Sequence, residues 1–202
     1  MSETNRKTLE SYETGINEYI QNAPNKRGGV VEDWIDKSIE ALGQDAKILE
    51  IGSAYGRDAK LIEEKGFHVE KTDATKGFVK ILQGEDSTAR VLNILSDEIE
   101  DSYDLIIANA VFLHFNDDET LFAANKVYNA LNPDGIFSLT LKQGDGEAWQ
   151  SNKGMAPRFF NFWSKERIAE LLSSVGFDNI KAWADSSDGS GTTWVMVIAK
   201  KS

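Results

Sequence analysis

The chain has no cysteine, which removes disulfides, thiolate metal sites and a cysteine nucleophile together. Histidine is scarce: only His68 and His114 are available as imidazole bases. No metal site is expected. Long apolar runs are also missing. The longest, around 105–115, is interrupted by Asn109 and is far too short to span a bilayer. The opening MSETNRKTLE carries no apolar signal core. A soluble, cytoplasmic chain with no membrane partner is expected. Cationic charge is in deficit, with 22 Lys and Arg against 33 Asp and Glu and a net charge of −11. Nucleic-acid binders draw most of their affinity from cationic contacts to phosphates. The basic residues here are scattered among acids, so nucleic acid is disfavoured as a partner.

What is present suffices for one globular unit. At 202 residues and 41% hydrophobic composition, the chain buries roughly 70% of its unfolded surface without staples. Residues 8–22 and 30–42 carry apolar residues at helical spacing, so the chain opens with two predicted helices. The period then changes. Strands are predicted at 47–51, 67–72, 89–94, 103–109 and 136–141, and helices at 57–65, 76–83 and 116–131 between them. This alternation argues a doubly wound, mostly parallel α/β sheet. A helix over 164–175 follows, then two strands, 180–184 and 193–200, joined by DSSDGSG. This antiparallel C-terminal hairpin brings the predicted sheet to seven strands. The boundaries expected are an N-terminal helical lid over 1–44 and one domain over 45–202.

The informative stretch is ILEIGSAYGRD, residues 48–58. A strand that delivers small residues at 52, 54 and 56 lets the backbone approach a ligand beside a helix N-terminus. The dinucleotide spacing G-x-G-x-x-G would need a small residue at position 57, which is Arg. Glu50, two residues before the first glycine, suits an amino group and repels a diphosphate.

In these residues the chain resembles the class I S-adenosylmethionine-dependent methyltransferases, whose first motif is an acid, any residue, then G-x-G-x-G. Glu50, Gly52, Ala54 and Gly56 match it, with Ala54 replacing the middle glycine. The segments GRDA, TDAT and LKQGDGE resemble a narrower set of small bacterial methyltransferases. The resemblance implies S-adenosylmethionine as cofactor, held by Glu50, Gly52, Ser53, Ala54, Gly56 and Asp58. It further implies Asp73 and Ala74 at the ribose, Asn93 and Ile94 at the adenine, and Asn109 near the methionine end. Asp73 has a competing role as a helix cap, and Asn109 as a strand-end turn residue. Tyr12 and Tyr19 are implied as an aromatic lid whose faces attract a sulfonium; plain helix packing is the alternative.

On the acceptor side, His114 is implied near the reacting methyl, as a base or as a loop-orienting group. His68 lies at the wrong end of its strand and is read as structural or surface. Residues 142–163 show little periodicity and follow the fifth strand at the ligand edge. They are expected to form a long loop walling the acceptor pocket, with Glu147 and Arg158 as its charged groups. An inert Arg158–Glu147 ion pair is the competing reading. The function implied is methyl transfer to an O or N of a small molecule, by a monomer or homodimer. RNA or protein acceptors, or a silent cofactor-binding sensor, are the alternatives.

Overall fold

A computed structural model describes residues 2–23, 29–84, 88–152, 154–186 and 191–202. Three helices come first: α1 (Glu3–Thr14), α2 (Ile16–Asn22) and α3 (Val30–Ile39). The strand–helix alternation follows as β1 (Ile48–Ile51), α4 (Arg57–Glu63), β2 (Val69–Asp73), α5 (Lys76–Leu82), β3 (Arg90–Val91) and β4 (Tyr103–Asn109). A single 3-10 turn, Phe112–His114, leads to α6 (Asp117–Ala130) and β5 (Leu131–Lys142). Then come β6 (Glu147–Gln150), β7 (Arg158–Asn161), α7 (Lys165–Val175), β8 (Phe177–Asp185) and β9 (Trp194–Lys201).

Seven strands form one sheet in the order β3-β2-β1-β4-β5-β9-β8. The first five are mutually parallel, and β9 runs antiparallel to both β5 and β8. The predicted doubly wound sheet with its closing hairpin is the observed one. The chain winds outward from β1 through β2 to β3, then returns to β4 on the other side of β1. The crevice at that switch point, beyond the strand C-termini, is where open α/β sheets receive ligands.

Pleating divides the core. In β4, Ile106 and Ala108 face the cluster with α6 and α7, whereas Leu105 and Ile107 face the cluster with α3 and α4. Both faces being covered explains why YDLIIAN is nearly all apolar. α3 is integral to this layer: Trp34 and Ile35 are fully buried, and the Trp34 indole N–H donates to the Val197 carbonyl at 3.4 Å. Only α1 and α2, of the expected N-terminal lid, lie over the ligand edge.

Several boundaries differ from the sequence reading. The helix expected over 8–22 is two helices broken at Gly15, and the first starts at Glu3 because the Ser2 hydroxyl caps it by accepting from Asn5 N. A Cβ at Gly15 would come within 3.0 Å of Met155 and of the Ser11 carbonyl. β3 is cut to two residues because the chain turns at Asn93, whose carbonyl accepts from both Ser96 N and Asp97 N. The expected loop over 142–163 contains an antiparallel hairpin, β6 with β7. Residues 187–190 of the predicted terminal turn lie outside the described residues.

Because α3 belongs to the core, Trp34→Ala should destabilise the protein by about 3–5 kcal/mol. Urea unfolding followed by circular dichroism measures this, and a loss below about 1 kcal/mol would make α3 a detachable appendage.

Candidate active site

The turn after β1 is built from left-handed backbone, with φ of 77° at Gly52, 47° at Ala54 and 83° at Gly56. Gly52 N and Ser53 N both donate to the Thr72 carbonyl, at 2.9 and 2.8 Å. A Cβ at Gly52 would stand 2.4 Å from Val111 Cγ2, so position 52 requires glycine for space as well as for φ. Ala54 has no such freedom, and the left-handed region costs it about 1–2 kcal/mol. Its N–H donates to Asp73 Oδ2 at 2.9 Å, which offsets part of that cost.

Asp73 thereby joins two loops. Its Oδ1 accepts from Thr75 N at 2.7 Å while Oδ2 holds the β1 turn. The N-cap of α5 is Thr75, not Asp73. The free N–H groups of Lys76 and Gly77 are taken by the Glu13 carboxylate of α1, at 2.5 and 3.1 Å. Burial pushes the Asp73 carboxyl up to about 6, against the opposing pull of the Thr75 and Ala54 amides.

Glu50 is the anomaly of the site. It is 2% exposed, and its Oε2 has no hydrogen-bond partner. Burial, then the neighbouring Asp58 charge, push its carboxyl up to about 8. Asp58 is itself satisfied, taking Arg57 Nε at 2.8 Å and Asn109 Nδ2 at 2.7 Å. Asn109 Oδ1 in turn accepts from the Thr140 hydroxyl at 2.5 Å, so the amide is locked from both ends.

Above this floor lies a cavity with about 660 Å³ of empty space, part of it open to solvent. Gly52, Ala54, Asp73, Ala74, Asn93, Ile94 and Asn109 line it from the sheet. Tyr12 and Tyr19 line it from the N-terminal helices, and His114 from the 3-10 turn. Glu50, Ser53, Gly56 and Asp58 lie in and below the turn without lining the cavity. The Ser53 hydroxyl accepts from Thr72 N, and Gly56 is the left-handed N-cap of α4. Asn93 Nδ2 donates to Asn5 Oδ1 at 2.9 Å, and its Oδ1 accepts from Leu95 N at 3.2 Å. That oxygen keeps one lone pair for a ligand.

The sequence reading overlooked Asn5, Thr8 and Leu9, which line the cavity beside Tyr12. All four sit on one face of α1 at helical spacing, a signal lost by starting the helix at residue 8. Phe78 was also missed. Its ring centroid lies 5.4 Å from that of Tyr19, and the Tyr12 and Tyr19 centroids are 5.6 Å apart.

His114 is enclosed. Nδ1 lies 2.6 Å from the Phe159 carbonyl, which only accepts, so Nδ1 carries the proton. Nε2 then accepts from the Tyr12 hydroxyl at 2.9 Å, and the Tyr12 oxygen accepts from Arg158 Nη1 at 2.8 Å. Burial, followed by the Arg158 and Lys142 charges, pushes the imidazole down to about 3. Glu147 departs from its expected place: it is exposed on β6, opposite Asn161, and does not line the cavity. The β6 pleat turns Glu147 and Trp149 outward and leaves Ala148 and Gln150 half-buried. The competing reading, an Arg158–Glu147 ion pair, is not found either: Arg158 bonds Tyr12 and Asn152. His68 is exposed.

The buried acid has a pH signature. The folded state retains a proton on Glu50 that the unfolded chain releases near 4.5, so ligand-free stability should fall as pH rises from about 4.5 to about 8. Glu50→Gln keeps the shape without the titration. At about pH 9 the variant should be more stable than the parent chain, and the two should converge below about pH 4.5. Urea denaturation across that range checks it, and parallel profiles for the two proteins would remove the buried-acid argument.

Comparison with known proteins agrees with this geometry. Residues 23–182 match the model of a family described as a methyltransferase domain. No curated protein matches the chain in sequence. Among solved structures, Burkholderia thailandensis 1,6-didemethyltoxoflavin-N1-methyltransferase superposes with a TM-score of 0.74 at 19% identity, covering 100% of this chain and 92% of that one. Haemonchus contortus phosphoethanolamine N-methyltransferase 2 gives 0.75 at 17% identity, covering 100% of this chain and 60% of that one. A Methanosarcina mazei S-adenosylmethionine-dependent methyltransferase gives 0.69 at 17%, covering 80% and 95%. The chain belongs to the methyltransferase-domain family and has the fold of the class I S-adenosylmethionine-dependent enzymes.

Proposed function

We propose that the chain transfers a methyl group from S-adenosylmethionine to an oxygen or nitrogen of a small-molecule acceptor. The observation that carries the cofactor reading is the orphaned, buried Glu50 Oε2 beside the glycine turn. A carboxylate in that setting demands a cation, and the cofactor's α-ammonium supplies one. Asp73 retains a lone pair on each oxygen for the two ribose hydroxyls after its amide bonds are counted. Ile94 and Leu92 offer an apolar slot for the adenine, with Asn93 at its edge. The aromatic group of Tyr12, Tyr19 and Phe78 faces the same cavity and suits a sulfonium. α1 and α2 act as the lid over it.

The cofactor supplies an activated methyl on sulfur, and the protein's share is alignment and exclusion of water, on the order of 7–11 kcal/mol when fully realised. Tyr12, fixed between His114 and Arg158, holds the wall on which the acceptor rests. His114 positions Tyr12 and is a poor base, because its protonated form is suppressed. Two of the structural neighbours are N-methyltransferases of small molecules by name, which supports that acceptor class. No helix among the described residues is long and apolar enough to cross a membrane.

Calorimetry with S-adenosylhomocysteine tests the cofactor reading. At about pH 7 Glu50 is mostly protonated, so binding should release a proton, seen as a buffer-dependent enthalpy. Asp73→Ala should weaken affinity by ~10-fold or more with the circular dichroism spectrum unchanged. Binding with no proton release, or unchanged affinity in Asp73→Ala, would reject the assigned contacts. Methyl-labelled cofactor incubated with a metabolite pool should give labelled small molecules, and label confined to macromolecules would overturn the acceptor class.

A further inference from the structure

Arg158 is 3% exposed, and no carboxylate pairs with it among the described residues. Nη1 donates to the Tyr12 hydroxyl and Nη2 to Asn152 Oδ1, while Nε is buried with no partner. A second cation stands close by. Lys142, half-buried at the end of β5, places Nζ 4.0 Å from the Phe160 ring centroid. The Arg158 guanidinium carbon lies 5.6 Å from the same centroid. Lys142 likewise has no carboxylate partner among the described residues. Burial and the Arg158 charge hold its ammonium below the usual lysine range.

Two cations at one ring without a counter-charge are expensive, since a charge taken out of water and left unpaired is not repaid its lost hydration. The chain is not short of acids, with 33 of them, yet among the described residues none pairs with either cation. Aromatic faces compensate only in part. The arrangement adjoins the cavity. His114 lines the cavity and packs on Phe160 with centroids 4.8 Å apart, and Tyr12, also in the lining, carries the Arg158 contact.

We propose that Arg158 and Lys142 form the docking site for an anionic group, carboxylate or phosphate, on the methyl acceptor. Arg158 offers Nε–H and its remaining Nη protons, and the guanidinium fork matches either anion. Lys142 adds a point charge at the same ring. The anion anchors the acceptor beyond His114 while its nucleophile enters the cavity. The inference rests on the methyl-transfer reading above and names the substrate class of that site.

The test uses the full chain saturated with S-adenosylhomocysteine. Inorganic phosphate and acetate are titrated separately by calorimetry at constant ionic strength, into the parent chain and into Lys142→Gln and Arg158→Met. Saturable binding of at least one anion is expected, weakened by ~10-fold or more in Lys142→Gln, with S-adenosylhomocysteine affinity unchanged in that variant. Tighter phosphate binding assigns a phosphorylated acceptor, and tighter acetate binding a carboxylate. Lys142→Gln keeps the test decisive should Arg158→Met loosen α1. Absence of saturable anion binding, or binding untouched by Lys142→Gln, would overturn the docking site while the homocysteine ligand still binds. Failure of the parent chain to bind S-adenosylhomocysteine would instead overturn the methyl-transfer reading on which the site depends.

Discussion

A carboxyl group buried without a full set of partners governs the ligand edge of this protein. Glu50 sits at the end of the central strand, flanked by Asp58 and Asp73, with one oxygen unsatisfied. Water cannot reach that oxygen to repay the lost hydration. The folded chain answers by retaining the proton. A cationic ligand would release that proton and restore the charge, so binding and ionisation are the same event seen from two sides. The surrounding geometry protects the arrangement. Gly52 admits only hydrogen beneath Val111, and Asp58 is spent on Arg57 and Asn109, leaving Glu50 as the open acceptor.

The N-terminal helices complete the cavity by joining its two banks. On the β2–β3 side, Glu13 caps α5 and Asn5 bonds Asn93. Toward β4 and β7, Tyr12 reaches His114 and Arg158, Thr8 accepts from Phe159 N, and the Ser11 hydroxyl donates to the Ala156 carbonyl. These bonds are polar and mostly side-chain-mediated. Their partners Asn5, Thr8 and Ser11 are the buried residues of α1, which has no apolar residue buried to the same degree. A helix docked by hydrogen bonds is a cheaper part to move than one docked by hydrophobic area, because each bond is worth only about 0.5–1.5 kcal/mol net. α3, packed through Trp34 and Ile35, is the opposite case.

The fold was legible because its signals are local. YDLIIAN reads as a strand covered on both faces, the small residues at 52, 54 and 56 place a tight turn, and Gly66, Gly84 and Gly176 punctuate elements at or near their ends. Of the residues read at the ligand edge, Gly52, Ala54, Asp73, Ala74, Asn93, Ile94 and Asn109 line the cavity, at or just after strand ends that the hydrophobic pattern marks, whereas Glu50, Ser53, Gly56 and Asp58 do not. What was illegible was non-local. Nothing in residues 142–163 announces that Glu147 and Trp149 face outward, because a four-residue strand carries too few alternations to fix its phase. The break at Gly15 depends on Met155, which is 140 positions away in the chain. The contribution of Asn5 depends on a cap at Ser2 that extends α1 by more than one turn.

The acceptor side follows from charge. An imidazole pushed down to about 3 is a neutral donor–acceptor with both nitrogens occupied, so proton abstraction there would mean breaking the Tyr12 bond and forming an imidazolium beside two existing cations. Each of those steps opposes general-base catalysis. The same cations that suppress the imidazolium favour an anion, and they also lower the energy of negative charge building on an acceptor oxygen or on a deprotonated nitrogen. Methyl transfer from a sulfonium needs little beyond orientation, since the leaving group is already activated. On the proposed reading, a site whose aromatic wall is fixed by one neutral histidine, and whose arginine and lysine have no carboxylate partner among the described residues, would hold a charged acceptor still. Its chemistry would then reside in placement, with proton removal left to solvent or to the acceptor itself.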